Sequence, residues 1–136
     1  MQLWDLFSQQ MLQSISLPAE SVCFSPDGKT LAIAGTTIWL WDLVAGRQSG
    51  SLRGHAAPVS CIAFSPEGNV LASSGTSDSS VKLWDLATGQ ELLTLAGHTG
   101  KIERIAFAPD GQALASVGTS ASNDRGEAFL WVAPRD

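Results

Sequence analysis

Residues 62–75 read IAFSPEGNVLASSG: an apolar run ending at Phe64, the tetrad Ser65-Pro66-Glu67-Gly68, and a second apolar run from Val70. Proline presets φ near -65° at the second turn position and glycine takes the positive φ that returns the chain, so the stretch predicts two strands joined by a hairpin. The same pattern recurs without a gap as VCFSPDGKTLAIAG from Val22 and IAFAPDGQALASVG from Ile105, at offsets of 40 and 43 residues. Trp-Asp-Leu stands at Trp4, Trp41 and Trp84, with Trp-Val-Ala at Trp131, and Gly-His occurs at Gly54-His55 and again 43 residues on at Gly97-His98. Self-similarity at this period is the mark of a repeat protein.

Within the middle unit the apolar runs predict strands over 58–64, 70–74, 80–85 and 91–95, and Ala87-Thr88-Gly89 gives a further tight turn. Helical periodicity is absent throughout, so the chain is expected to be all-β, with four-stranded antiparallel sheets. Repeats over about 10–43, 52–86 and 95–133, preceded by a leftover third strand at 1–6, make 1–136 a single repeat region.

Composition narrows the function classes. The 136 residues are 44 % hydrophobic with eight Lys plus Arg against thirteen Asp plus Glu, a formal net charge of -5. Such a field repels phosphate backbones and anionic lipids, which argues against nucleic-acid and membrane-surface roles. No apolar run spans a bilayer, and MQLWDLFSQQ is no secretory signal, so the expected compartment is the cytoplasm. Cys23 and Cys61 belong to no cluster of metal-ligand spacing, and no metal or cofactor is expected.

These repeats resemble the WD40 family, whose unit runs from Gly-His through Phe-Ser-Pro-Asp-Gly to Trp-Asp; the match is close in the second unit, good in the third and degenerate in the first. The resemblance implies β-propeller blades around a central channel, the outer strand of each blade coming from the start of the next repeat. It also implies a structural hydrogen-bonded network in each blade, which falls on His55, Ser73, Asp78 and Trp84 in the second unit. In the third it falls on His98, Ser116 and Trp131, with Asp124 as the expected carboxylate in a longer hairpin. The first unit has Ser14-Ile15 for Gly-His and Ile33 for the serine, so apolar packing alone is expected to hold it.

Ser73, His55 and Asp78 are also the ingredients of a nucleophilic triad. Nothing nearby resembles a nucleophile elbow or an oxyanion loop, and the indole N–H, hydroxyl, imidazole and carboxylate form a set that can satisfy itself when buried. Catalysis is not expected. Family resemblance places candidate partner-binding positions at Pro58, Ser60 and Ser77, then Lys101, Glu103 and Asn123, with Arg104 adjacent. The mixed charge of that third-unit rim suits a protein or peptide.

Closed propellers have 4 to 8 blades, and about three here make an incomplete ring with uncovered apolar faces. Three explanations stand open: a fragment of a longer propeller, a regulatory tail, or a short chain whose copies assemble into a homo-oligomer, a strand near Met11 to Ile15 completing another copy's blade. The leading functional reading is a non-catalytic protein-interaction scaffold; the alternatives are a ligand-binding or hydrolytic propeller and an assembly-only fragment.

Overall fold

The computed structural model describes residues 1–134, and among them there are strands and turns but no helix. β1 (Gln2–Trp4) and β2 (Met11–Ser14) form a two-stranded sheet. Two complete antiparallel meanders follow, β3 (Ser21–Phe24), β4 (Thr30–Ala34), β5 (Ile38–Asp42) and β6 (Arg47–Leu52), then β7 (Val59–Phe64), β8 (Val70–Gly75), β9 (Ser80–Asp85) and β10 (Gln90–Ala96). A three-stranded sheet of β11 (Ile102–Phe107), β12 (Ala113–Thr119) and β13 (Gly126–Val132) ends the series. These are propeller blades in an open series, the first sheet being the outer half of a blade.

The turn chemistry is realised at each inner hairpin. Gly28, Gly68 and Gly111 have φ of 71°, 77° and 72°, and each N–H closes its turn on the carbonyl of Ser25, Ser65 or Ala108 at 2.9 Å. A residue with a Cβ pays roughly 1–2 kcal/mol in this left-handed region. Two of these glycines lie beside the proline of the preceding blade's turn: a Cβ on Gly68 would stand in ordinary contact, 3.4 Å from Pro26 Cδ, and one on Gly111 3.6 Å from Pro66 Cδ.

Apolar alternation places the core between sheets. Ala32, Ala34, Ile38, Leu40 and Leu52 of the first complete blade share a buried cluster with Val59, Ile62, Leu71 and Trp84 of the second. The next cluster joins Ala72 and Val81 to Ile102, Ile105 and Leu114, with Cys61, Ala63, Leu83 and Phe107 half-buried against it. A third, of Ile15, Leu31 and Ile33, fastens the β1–β2 sheet. Inner strands of successive blades touch, and Val59 N–H donates across the first interface to Gly35 O at 2.8 Å. Repetition of one interface thus fixes the direction in which blades add.

Candidate functional site

In the second complete blade the sequence brings four polar side chains together inside the sheet. β8 carries Ser73, which is fully buried, opposite Lys82 of β9 and two residues short of the register of Trp84. Trp84 Nε1 donates to Ser73 Oγ at 2.7 Å, and the same oxygen lies 2.7 Å from His55 Nε2. His55 Nδ1 lies 2.5 Å from Asp78 Oδ2. One arrangement of protons satisfies every member: indole N–H to hydroxyl, hydroxyl O–H to Nε2, and Nδ1–H to carboxylate. The His55 side chain is 1 % exposed and that of Asp78 15 %, so the chain of donors runs from the interior to the blade's edge.

Gly75 is part of this construction. A Cβ there would stand 2.5 Å from Asp78 Oδ2, so only glycine on β8 lets the hairpin carboxylate fold back over the sheet.

The order Ser73, His55, Asp78 is that of a nucleophilic triad. Ser73 Oγ holds the indole proton and the imidazole nitrogen, and the residue is 0 % exposed. An attacking oxygen needs an approach path and donors for the developing oxyanion, whereas Ser73 is buried beneath the 1 % exposed Trp84 to which it is bonded.

The last sheet repeats the motif with a different acid. Trp131 Nε1 donates to Ser116 Oγ at 2.9 Å, which is 2.7 Å from His98 Nε2. The carboxylate is Glu127 and not the expected Asp124: Glu127 Oε2 lies 3.4 Å from His98 Nδ1. Asp124 is exposed at the hairpin tip with φ of 55°. The longer hairpin carries Asp124 past the histidine, whereas Glu127 sits at the start of β13, in register with Gly118, within reach of its longer arm. Glu127 is also engaged elsewhere, accepting from Thr99 Oγ1 at 2.5 Å and Thr99 N–H at 2.9 Å. The Thr99 hydroxyl, then its N–H, hold the Glu127 carboxyl below its ordinary range, while His98 Nδ1 forms no hydrogen bond.

The first complete blade corrects the expectation of apolar packing alone. Ile15 and Ile33 do take the places of histidine and serine, 2 % and 0 % exposed, but Trp41 Nε1 donates to Gln13 Oε1 at 3.3 Å. Alternation along β2 turns Gln13 inward, a position no motif marks in the sequence.

The candidate rim is less uniform than the sequence suggests. Pro58, Ser77, Lys101, Glu103 and Asn123 are exposed, and the two ends of the second-blade rim meet where Thr76 N–H donates to Pro58 O at 2.8 Å. Lys101 and Glu103 pair at 3.8 Å, and Asn123 Oδ1 accepts from Arg125 N–H at 3.1 Å. Ser60 is turned inward, its hydroxyl donating to Ser74 O at 3.2 Å. Arg104 lies within β11 in register with Val117, on the face of the sheet and not at its rim. At the opposite end, a cleft of about 790 Å³ between the two complete blades is lined by Leu40, Leu52, Phe64 and Leu86 beneath the Pro26 and Pro66 turns.

Among the described residues, no group of three or more His, Cys, Asp or Glu side chains is placed to hold a metal, and no helix is long and apolar enough to cross a membrane. Cys23 and Cys61 are free thiols, half-buried.

Antiparallel sheets repeated about a shared inner edge, two of them four-stranded, with the Trp84 and Trp131 indoles bonded to buried serines, define a protein of propeller blades. The model of the WD domain, G-beta repeat, matches residues 46–85 and 89–125, more than half of the chain, which therefore belongs to the WD40 repeat family. WD40 repeats generally serve as protein-interaction scaffolds and are typically non-catalytic. No curated protein matches the chain.

Proposed function

We propose that this chain is a cytoplasmic, non-catalytic scaffold that binds a protein or peptide through the rim formed by Pro58, Ser77, Lys101, Glu103 and Asn123, and that its copies assemble blade to blade. The observation that carries the non-catalytic part is the saturation of Ser73 Oγ, buried and bonded to both Trp84 and His55. The rim combines both charge signs with uncharged polar groups, most of them on loops and Glu103 at the bulged start of β11, held by a rigid sheet, the setting in which binding residues concentrate. A formal net charge of -5 favours a protein partner over a polyanion.

Affinity capture from cytosol tests the rim, using the parent chain, a rim variant carrying Ser77→Glu, Lys101→Glu and Asn123→Asp, and an outer-strand control, Leu92→Ala. The expected result is a protein retained by parent and control and lost with the rim variant. Equal capture by all three contradicts the rim, and a hydrolytic activity abolished by Ser73→Ala contradicts the non-catalytic reading.

A further inference from the structure

Each internal blade interface uses the same positions. The face that one sheet presents to the next is built from Cys23, Ala32, Ala34, Ile38 and Leu40 in the first complete blade, and from Ala63, Ala72, Ser74, Val81 and Leu83 in the second. The receiving side consists of Ile62, Phe64 and Leu71, then Ile105, Phe107 and Leu114. Carried forward by the repeat, the presenting face of the last sheet falls on Ala106, Ala115, Val117, Ala128 and Leu130, all exposed, Val117 at 42 % and Leu130 at 68 %. Carried back, the receiving positions of Ile62 and Phe64 fall on Val22 and Phe24 of β3. These are 50 % and 54 % exposed, where Ile62 is 6 %.

The two open faces are thus the two halves of an interface this chain already makes twice. Three further details agree. The pair Ser74 and Val81 becomes Val117 and Ala128, exchanging bulk between neighbouring positions while keeping the face apolar. The placing of a turn's proline beside the next turn's glycine leaves a free half at the first turn, where a Cβ on Gly28 would have nothing within 4 Å. Finally, β2 has a short partner in β1, three residues against the seven of β13, and the motif aligns Trp4 and Leu3 with Trp131 and Leu130.

We propose that copies of this chain associate head to tail, the open face of the β11–β13 sheet of one copy seating on Val22 and Phe24 of the next. β13 takes the place of β1 beside β2, so that β11, β12 and β13 of one copy and β2 of the other make one four-stranded blade. This rests on the homo-oligomer reading above and names its interface. It differs from simple donation of Met11 to Ile15, because β2 stays in its own copy and the apolar faces supply the energy of association.

A head-to-tail joint is tested by complementation, with mass read by light scattering. Phe24→Asp and Val117→Asp each spoil a different half of the joint at an exposed position, so each variant is expected to stay cooperatively folded, with a midpoint lowered only by the lost association, and to shift from the parent's oligomer to the 14.3 kDa monomer. Each retains the half that the other lacks. An equimolar mixture is therefore expected to form a dimer of twice 14.3 kDa and nothing larger. A parent chain that is monomeric at its highest soluble concentration overturns the homo-oligomer reading and this interface together. An oligomeric parent whose two variants stay oligomeric singly, or fail to pair when mixed, overturns the interface alone.

Discussion

Trp84 Nε1 and Ser73 Oγ lie 2.7 Å apart inside a sheet from which water is excluded. The indole has no other polar handle and the hydroxyl has one proton to give, so this contact sets the direction of the whole chain to Asp78. Removing the hydroxyl by Ser73→Ala orphans both the indole N–H and His55 Nε2. A loss of roughly 2–4 kcal/mol is expected from denaturant midpoints, against less than about 0.5 kcal/mol for Ser77→Ala at the exposed rim.

In the last sheet the acid is bonded to Thr99 with His98 Nδ1 3.4 Å away, and its titration provides a second test. The carboxyls of Glu127 and Glu91 are held below their ordinary range by Thr99 and Thr94, with Lys82 adding to the second. A folded-state pKa below the unfolded value contributes stability that is present above the unfolded pKa and lost as pH falls through the folded one. Unfolding midpoints are expected to decline on acidification through and below the ordinary glutamate range. Glu127→Gln should flatten that decline, measured by thermal unfolding across the acid range; an unchanged profile would remove Glu127 from the account.

The hairpin glycines separate a backbone effect from a packing effect. Gly28→Ala meets only the left-handed φ and is expected to lose about 1–2 kcal/mol. Gly68→Ala has the same φ problem but brings its Cβ into ordinary contact with Pro26 Cδ at 3.4 Å, so its loss should be no larger and slightly offset by the added contact. Equal losses in chemical denaturation would mean that the proline contact contributes nothing.

Gln13 supplies a fourth comparison. Replacing it by Leu leaves the half-buried Trp41 indole without its acceptor, and a loss of about 1 kcal/mol is expected. Gln13→Glu keeps the acceptor for the indole but loses the Nε2–H donation to Gly46 O at 3.1 Å, so it should recover only part of the loss in the same unfolding measurement.

The blades were legible because their punctuation is local. Ser-Pro-Glu-Gly dictates a hairpin wherever it stands, and the predicted strands of the middle unit lie within two residues of β7 to β10. Spacing alone misassigned the acid of the last sheet, since a hairpin of different length moves Asp124 away while a longer side chain reaches from Glu127. No motif marks Gln13, because its role depends on the partner its strand faces, a tertiary fact. Adjacency in sequence puts Arg104 beside the rim but says nothing about which side of a strand a residue occupies; β11 turns it onto the sheet face. Ser60, expected at the rim at the start of the inner strand, is turned inward by its bond to Ser74 O.

The most direct test of the buried network is a double-mutant cycle on His55 and Asp78, whose ring nitrogen and carboxylate lie 2.5 Å apart. Denaturant unfolding of the parent, His55→Ala, Asp78→Ala and the double variant gives their coupling energy. A structural network predicts a coupling of roughly 1–3 kcal/mol, the second deletion costing little once the first has broken the chain. Additive losses, with a coupling indistinguishable from zero, would contradict it.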